Sequence, residues 1–200
     1  MKKTLLLGLT LALGITTVCA ASPLKNYDMG KTAIDIGITA PTSNNYEGVS
    51  VGSKKTAPYA GITVGLGNKT AINYKWNQYK NSGSTKVEAQ QLNLMYKVLP
   101  VLDVYAGYVN SDVKLHGNSR DTNSGQLGLQ GRVELPFLCT VWGRAGVGNK
   151  LNSYEIGLSR ALVSNVELNL SYYDNKFKDS APDGIDVKTK GVNVGVTVKF

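Results

Sequence analysis

Cysteine, histidine and long apolar runs are all scarce in this chain, and each scarcity removes a class of protein. Of two cysteines, Cys19 lies within the first twenty residues, so Cys139 stands alone and no disulfide framework supports a small secreted fold. Nothing in the sequence sets a second cysteine or a histidine beside Cys139, which reads as a small apolar packing residue. The only histidine is His116, so histidine-rich metal centres are excluded. Past the first twenty residues no apolar run is long enough to cross a bilayer as a helix. Basic and aromatic residues do not interleave as a nucleic-acid surface would require. No cofactor motif is present.

What the chain does have begins with Lys2 and Lys3, an apolar run from Leu5 to Ile15 and small residues around Cys19 and Ala20. This three-part order predicts a cleaved secretory signal peptide over 1–20. Its removal leaves an excess of six positive charges. A polar lead over 21–30, expected on the periplasmic side, then precedes a single domain over 31–200.

That domain alternates. The final stretch, TKGVNVGVTVKF, puts Val192, Val194, Val196, Val198 and Phe200 on one face and Asn193, Gly195, Thr197 and Lys199 on the other, the period of a strand. Nine earlier segments behave alike: Lys31–Pro41, Ala57–Leu66, Thr70–Lys80, Lys86–Val98, Leu102–Val113, Thr122–Leu135, Leu138–Val147, Leu151–Ala161 and Asn165–Lys176. Ten segments place both termini on one side; merging the Leu138–Ala161 hairpin would leave eight. Short links at Gly67–Lys69, Leu99–Val101, Pro136–Phe137 and Leu162–Ser164 contrast with longer polar links at the other end, as in an outer-membrane barrel, the short Gly148–Lys150 link alone breaking the pattern. The fold class is therefore all-β: an antiparallel transmembrane up-and-down barrel. Threaded this way, Tyr74, Trp76, Tyr108, Tyr154 and Tyr172 form an outer girdle, and Tyr96, Phe137 and Phe200 an inner one.

The signal peptide, the alternating hairpins, the Leu-Pro turns at Leu99-Pro100 and Leu135-Pro136, and the terminal GVNVGVTVKF together resemble the small OmpA/OmpX-like and porin-like outer-membrane barrels. The resemblance implies residence in the outer membrane, contact with its lipid, and handling by periplasmic chaperones and the barrel-assembly machinery. It also implies that Val192, Val194, Val196, Val198 and Phe200 carry the assembly signal. Function varies widely on such barrels.

The inward-facing charges balance: Asp35, Asp103, Glu134, Glu155 and Glu167 against Lys75, Lys97, Arg132, Arg144 and Lys199. A selective pore favours an uneven set, whereas a narrow lumen holds charges that are paired. Tyr59, Tyr105 and Trp142 add bulk there, with Trp142 placed to stack on Arg144. His116 falls in an expected loop, Asn110–Asp121, near Ser111, Asp112, Ser119 and Asp121, but no spacing matches a nucleophile motif. Asp179, Asp183 and Asp186 do not have EF-hand spacing. Lys54, Lys55, Lys80, Lys86 and Lys150 are candidates for contact with lipopolysaccharide phosphates. The leading expectation is a non-enzymatic barrel with a salt-bridged narrow lumen and a structural or loop-mediated role. The alternatives are a small-solute channel and, third, an enzyme acting on lipid or peptide.

Overall fold

A computed structural model describes residues 23–50, 52–82, 85–115, 117–136 and 139–200. The expected signal peptide, His116 and Phe137 lie outside them. Strand β1 (Thr32–Tyr46) is followed by two short strands, β2 (Val49–Ser50) and β3 (Lys54–Lys55). Then come β4 (Ala57–Gly67), β5 (Thr70–Asn81), β6 (Lys86–Leu99), β7 (Leu102–Leu115), β8 (Asn118–Leu135) and β9 (Cys139–Gly148). Strands β10 (Leu151–Val163), β11 (Val166–Phe177) and β12 (Val187–Lys199) complete the chain. Each long strand pairs antiparallel with its sequence neighbour, and β12 returns to β1. Ten long strands thus close a barrel, which satisfies every strand edge internally, as a lipid surround requires. At the end of the seam Phe200 N–H donates to Thr32 O at 2.8 Å and Thr32 N–H to Phe200 O at 3.2 Å.

Ten strands rather than eight follow from the β9–β10 hairpin, which is paired from Val147↔Asn152 to Cys139↔Arg160. One expected loop is corrected. Asn110–Asp121 is strand almost throughout, because Val109 and Val113 face inward and are buried, and β7 and β8 stay paired to Leu115↔Asn118. The lead is also not a free polar segment. Leu24 and Tyr27 are buried in the inner mouth, Gly67 N–H donates to Tyr27 O at 2.8 Å, and Gly30 N–H to Gly65 O at 3.1 Å.

Glycines inside the strands make room for lumenal aromatics. Gly37 and Gly195 face each other across the closing seam, and a Cβ on Gly195 would overlap Tyr59 Oη. Tyr105 lies in the same way over the in-register pair Gly128 and Gly146. Missing side chains on one strand are thus filled by a ring from another.

Candidate functional site: a sealed lumen beneath an exposed collar

The ten inward charges do not form one network but two groups. In the middle of the barrel Lys75 pairs with Glu155, their side chains 19% and 9% exposed. Glu155 also accepts from Ser171 Oγ at 2.7 Å and Asn193 Nδ2 at 2.9 Å. Asp35 accepts from the Thr197 hydroxyl. Arg144 donates to Asn73 Oδ1 at 3.0 Å and lies over the Tyr105 ring, 4.3 Å from its centroid. Trp142 packs onto Gly157. Desolvated charges persist only with this degree of pairing and hydrogen bonding.

The second group closes the inner mouth. Lys97 bonds Asp103 at 2.7 Å and sits 4.3 Å over the Tyr27 ring. Arg132 donates to Pro23 O at 3.0 Å, to Lys25 O and to Pro100 O at 3.4 Å, while Lys25 reaches Glu134 at 2.9 Å. Lys199 pairs with Glu167 at 2.6 Å. Four of the six predicted residues here thus hold or flank the lead, whose part in the lumen the sequence reading missed. Between the groups remains a cavity of about 50 Å³ bounded by Asp35, Tyr59, Lys75, Arg144 and Glu155. That volume suits a few waters, far less than a solute pocket.

Toward the outer end the barrel inverts its polarity. Tyr46, Tyr79, Val87, Val109, Val113, Leu151, Tyr173, Phe177 and Val187 point inward and form one buried core, with Tyr79 and Tyr173 ring centroids 5.1 Å apart. The outward positions of the same strands are polar: Lys86, Glu88 and Gln90 on β6, Asn110, Asp112 and Lys114 on β7, Asp174 and Lys176 on β11, and Lys188 and Lys190 on β12. Below this collar the outward face is apolar and exposed, with Leu127, Leu129, Ile156 and Val133 all more than half accessible. The predicted outer aromatics mark the change. Trp76 and Tyr74 sit on β5, Tyr108 on β7, Tyr154 on β10 and Tyr172 on β11, while Tyr96 and Phe200 are exposed toward the inner rim. Val192, Val194, Val196 and Val198 alternate on the outward face of β12 against the seam.

Charges on the collar are mostly clasped. Lys190 bonds Asp174 at 2.7 Å, Lys150 bonds Asp179 at 2.7 Å and Lys176 bonds Asp186 at 2.6 Å. The Lys176 ammonium and then the Asp179 N–H, which donates to Asp186 Oδ1 at 3.0 Å, hold the Asp186 carboxyl below the usual range. Asp112 faces Asp121 across the β7–β8 pair. Among the described residues no group of histidine, cysteine or acidic side chains is arranged to hold a metal ion. Ser111 is buried inward on β7, whereas Asp112 on β7 and Ser119 and Asp121 on β8 lie on the outward face.

An exposed apolar belt on a closed antiparallel barrel with a polar interior defines an integral β-barrel of the bacterial outer membrane. No protein-family model matches the sequence, and no curated protein matches it. Among solved structures, the outer membrane protease OmpT from Escherichia coli shares the fold with a TM-score of 0.53 at 13% identity, over 86% of this chain and 97% of that one. Neisserial surface protein A superposes with a TM-score of 0.49 at 18% identity, covering 86% and 97%. Ail of Yersinia pestis, solved in a phospholipid nanodisc, gives 0.44 at 14%, covering 86% and 99%.

Proposed function

We propose that this protein is a non-enzymatic outer-membrane barrel whose lumen is a stabilising plug and whose work is done by the collar and loops that it presents outside. The observation that carries this reading is double closure: an apolar core fills the outer end and Leu24 with Tyr27 fills the inner mouth. A small-solute channel needs a continuous water path, and the small cavity of about 50 Å³ beside the paired charges weighs against one. Planar-bilayer recording of the refolded chain tests the reading. Silent bilayers are expected, and regular single-channel steps at modest voltage would overturn it.

The catalytic alternative rests on His116 with the acids beside it, and OmpT, by its name, is a protease. Ser111 faces inward and so drops out of such a set, and His116→Ala is expected to leave envelope phenotypes unchanged. In this reading Val192, Val194, Val196, Val198 and Phe200 form the recognition strand for the assembly machinery, delivered by periplasmic chaperones. The partners in the mature state are outer-membrane lipid and lipopolysaccharide.

A further inference from the structure

Cross-strand register on the collar brings together lysines that lie far apart in the chain. Lys55 on β3 pairs with Lys80 on β5, Lys80 with Lys86 on β6, and Lys86 with Lys114 on β7. Directly opposed side chains in a sheet share a face with Cβ atoms about 5 Å apart, and like charges so placed destabilise it. The row therefore sets four ammonium groups side by side. Lys86 bonds Glu88 and Lys114 lies two residues from Asp112 on the same face of β7, whereas Lys55 and Lys80 stand opposite each other and not opposite an acid. Glu88 is itself engaged by Trp76 Nε1 at 2.7 Å and Gln78 Nε2 at 3.2 Å. Two of the five lysines singled out from sequence fall outside the row, since Lys54 faces Asn81 and Lys150 is clasped by Asp179.

The height of the row fits its surroundings. Lys80 lies four residues beyond the girdle residue Trp76 on the same outward face of β5, roughly 10 Å further out for a strand tilted about 40°. At that level the wall of the barrel meets not acyl chains but the head groups of outer-leaflet lipid. The carboxylates of Glu88, Asp112 and Asp121 form an in-register row just beneath, so the anions that fit are those held on the far side of the lysines from that row.

We propose that Lys55, Lys80, Lys86 and Lys114 bind the phosphate groups of a phosphorylated glycolipid in the surrounding outer leaflet. This rests on reading the collar as the interacting surface. Phosphates would relieve the mutual repulsion of the row, and each lysine near an anionic lipid surface contributes on the order of fivefold in affinity.

The test uses full-length protein refolded into phosphatidylcholine vesicles and its thermal midpoint, read by heat-modifiable migration. Purified lipopolysaccharide, its dephosphorylated form and inorganic phosphate are added in separate arms. The wild-type midpoint is expected to rise with phosphorylated lipopolysaccharide alone, and K55Q/K80Q/K86Q/K114Q to lose at least tenfold in apparent affinity. In phosphatidylcholine alone K55Q/K80Q, which breaks no ion pair, is expected to melt at the same temperature or higher, because repulsion has been removed. K55Q/K80Q repeats the comparison with half the change. An undiminished shift in the variants, an equal shift with the dephosphorylated lipid, or a K55Q/K80Q variant that melts lower in neutral lipid would each overturn the proposal. A shift reproduced by inorganic phosphate would overturn the glycolipid assignment. Bilayer conductance reports only on the lumen, so either idea can fail alone.

Discussion

Replacing Gly146 by alanine should destabilise the barrel through one atom, the hydroxyl of Tyr105. A Cβ at Gly146 would lie 2.5 Å from Tyr105 Oη, with Gln126 Oε1 next at 3.3 Å and Tyr105 Cζ at 3.5 Å. The backbone there does not require glycine, since Gly146 has no positive φ. The ring cannot retreat. It lies against Gly128, where a Cβ would overlap Cζ, and Arg144 covers its other face. Overpacking of this kind costs about 1–3 kcal/mol. Tyr105→Phe deletes the offending oxygen while keeping the ring and its contact with Arg144. The double variant should therefore recover most of the loss, a coupling of about 1–2 kcal/mol. Gly128→Ala is the internal control, because its Cβ would also overlap the Ala145 carbonyl oxygen and no change at Tyr105 removes a backbone clash. Urea unfolding in vesicles, followed by gel migration, measures all four. If Gly146→Ala costs as much in the presence of Tyr105→Phe as in its absence, the packing argument is refuted.

Removing one partner of the buried Lys75–Glu155 pair should be worse than removing both. Lys75→Met is expected to cost about 3–5 kcal/mol, with much of it returned by adding Glu155→Gln; additive losses in the same unfolding assay would contradict a paired lumen. Asp186 is held below its ordinary pKa by Lys176, so its contribution is complete above about pH 4. It is lost as pH falls through the lower folded value. Hydrogen exchange in 178–186 should accordingly be flat from pH 7 to 5, after correction for intrinsic rates, and accelerate only below about pH 4; acceleration already at pH 6 would point to another group. Deleting Phe200 should lower assembly yield in cells while leaving the unfolding midpoint of barrels already folded close to wild type, and unchanged yield would count against the terminal strand as an assembly signal.

Strand number and position were legible because a period of two survives wherever one face meets lipid. All ten long strands begin and end within a few residues of the alternating segments. What the pattern concealed was a change of phase. On β6 the apolar residues Leu92, Leu94 and Tyr96 fall at even numbers, whereas Val87 and Ala89 fall at odd ones; on β11 Leu168 and Leu170 give way to Tyr173 and Phe177 in the same manner. The switch marks where the strand leaves the lipid and the barrel begins to bury its apolar side like a soluble sheet. Reading it would have shown Asn110–Asp121 to be strand and the outer end to be filled. Charge pairing was legible only as a balance of signs, since partners such as Lys75 and Glu155 are set by barrel curvature across strands distant in sequence. The lead could not be recognised from its polar composition, because only Leu24 and Tyr27 insert and Arg132 holds main-chain carbonyls that any sequence supplies.

The sealed lumen is tested most directly by the accessibility of Trp142, which is buried inside the barrel at 5% exposure. With Trp76→Phe as background, Trp142 is the only indole fluorophore in the chain. Iodide added on both sides of vesicles containing the folded protein should quench it hardly at all, and strongly once the barrel is unfolded. Efficient quenching in the folded state would mean that water and ions pass one of the two closures, and would contradict the account.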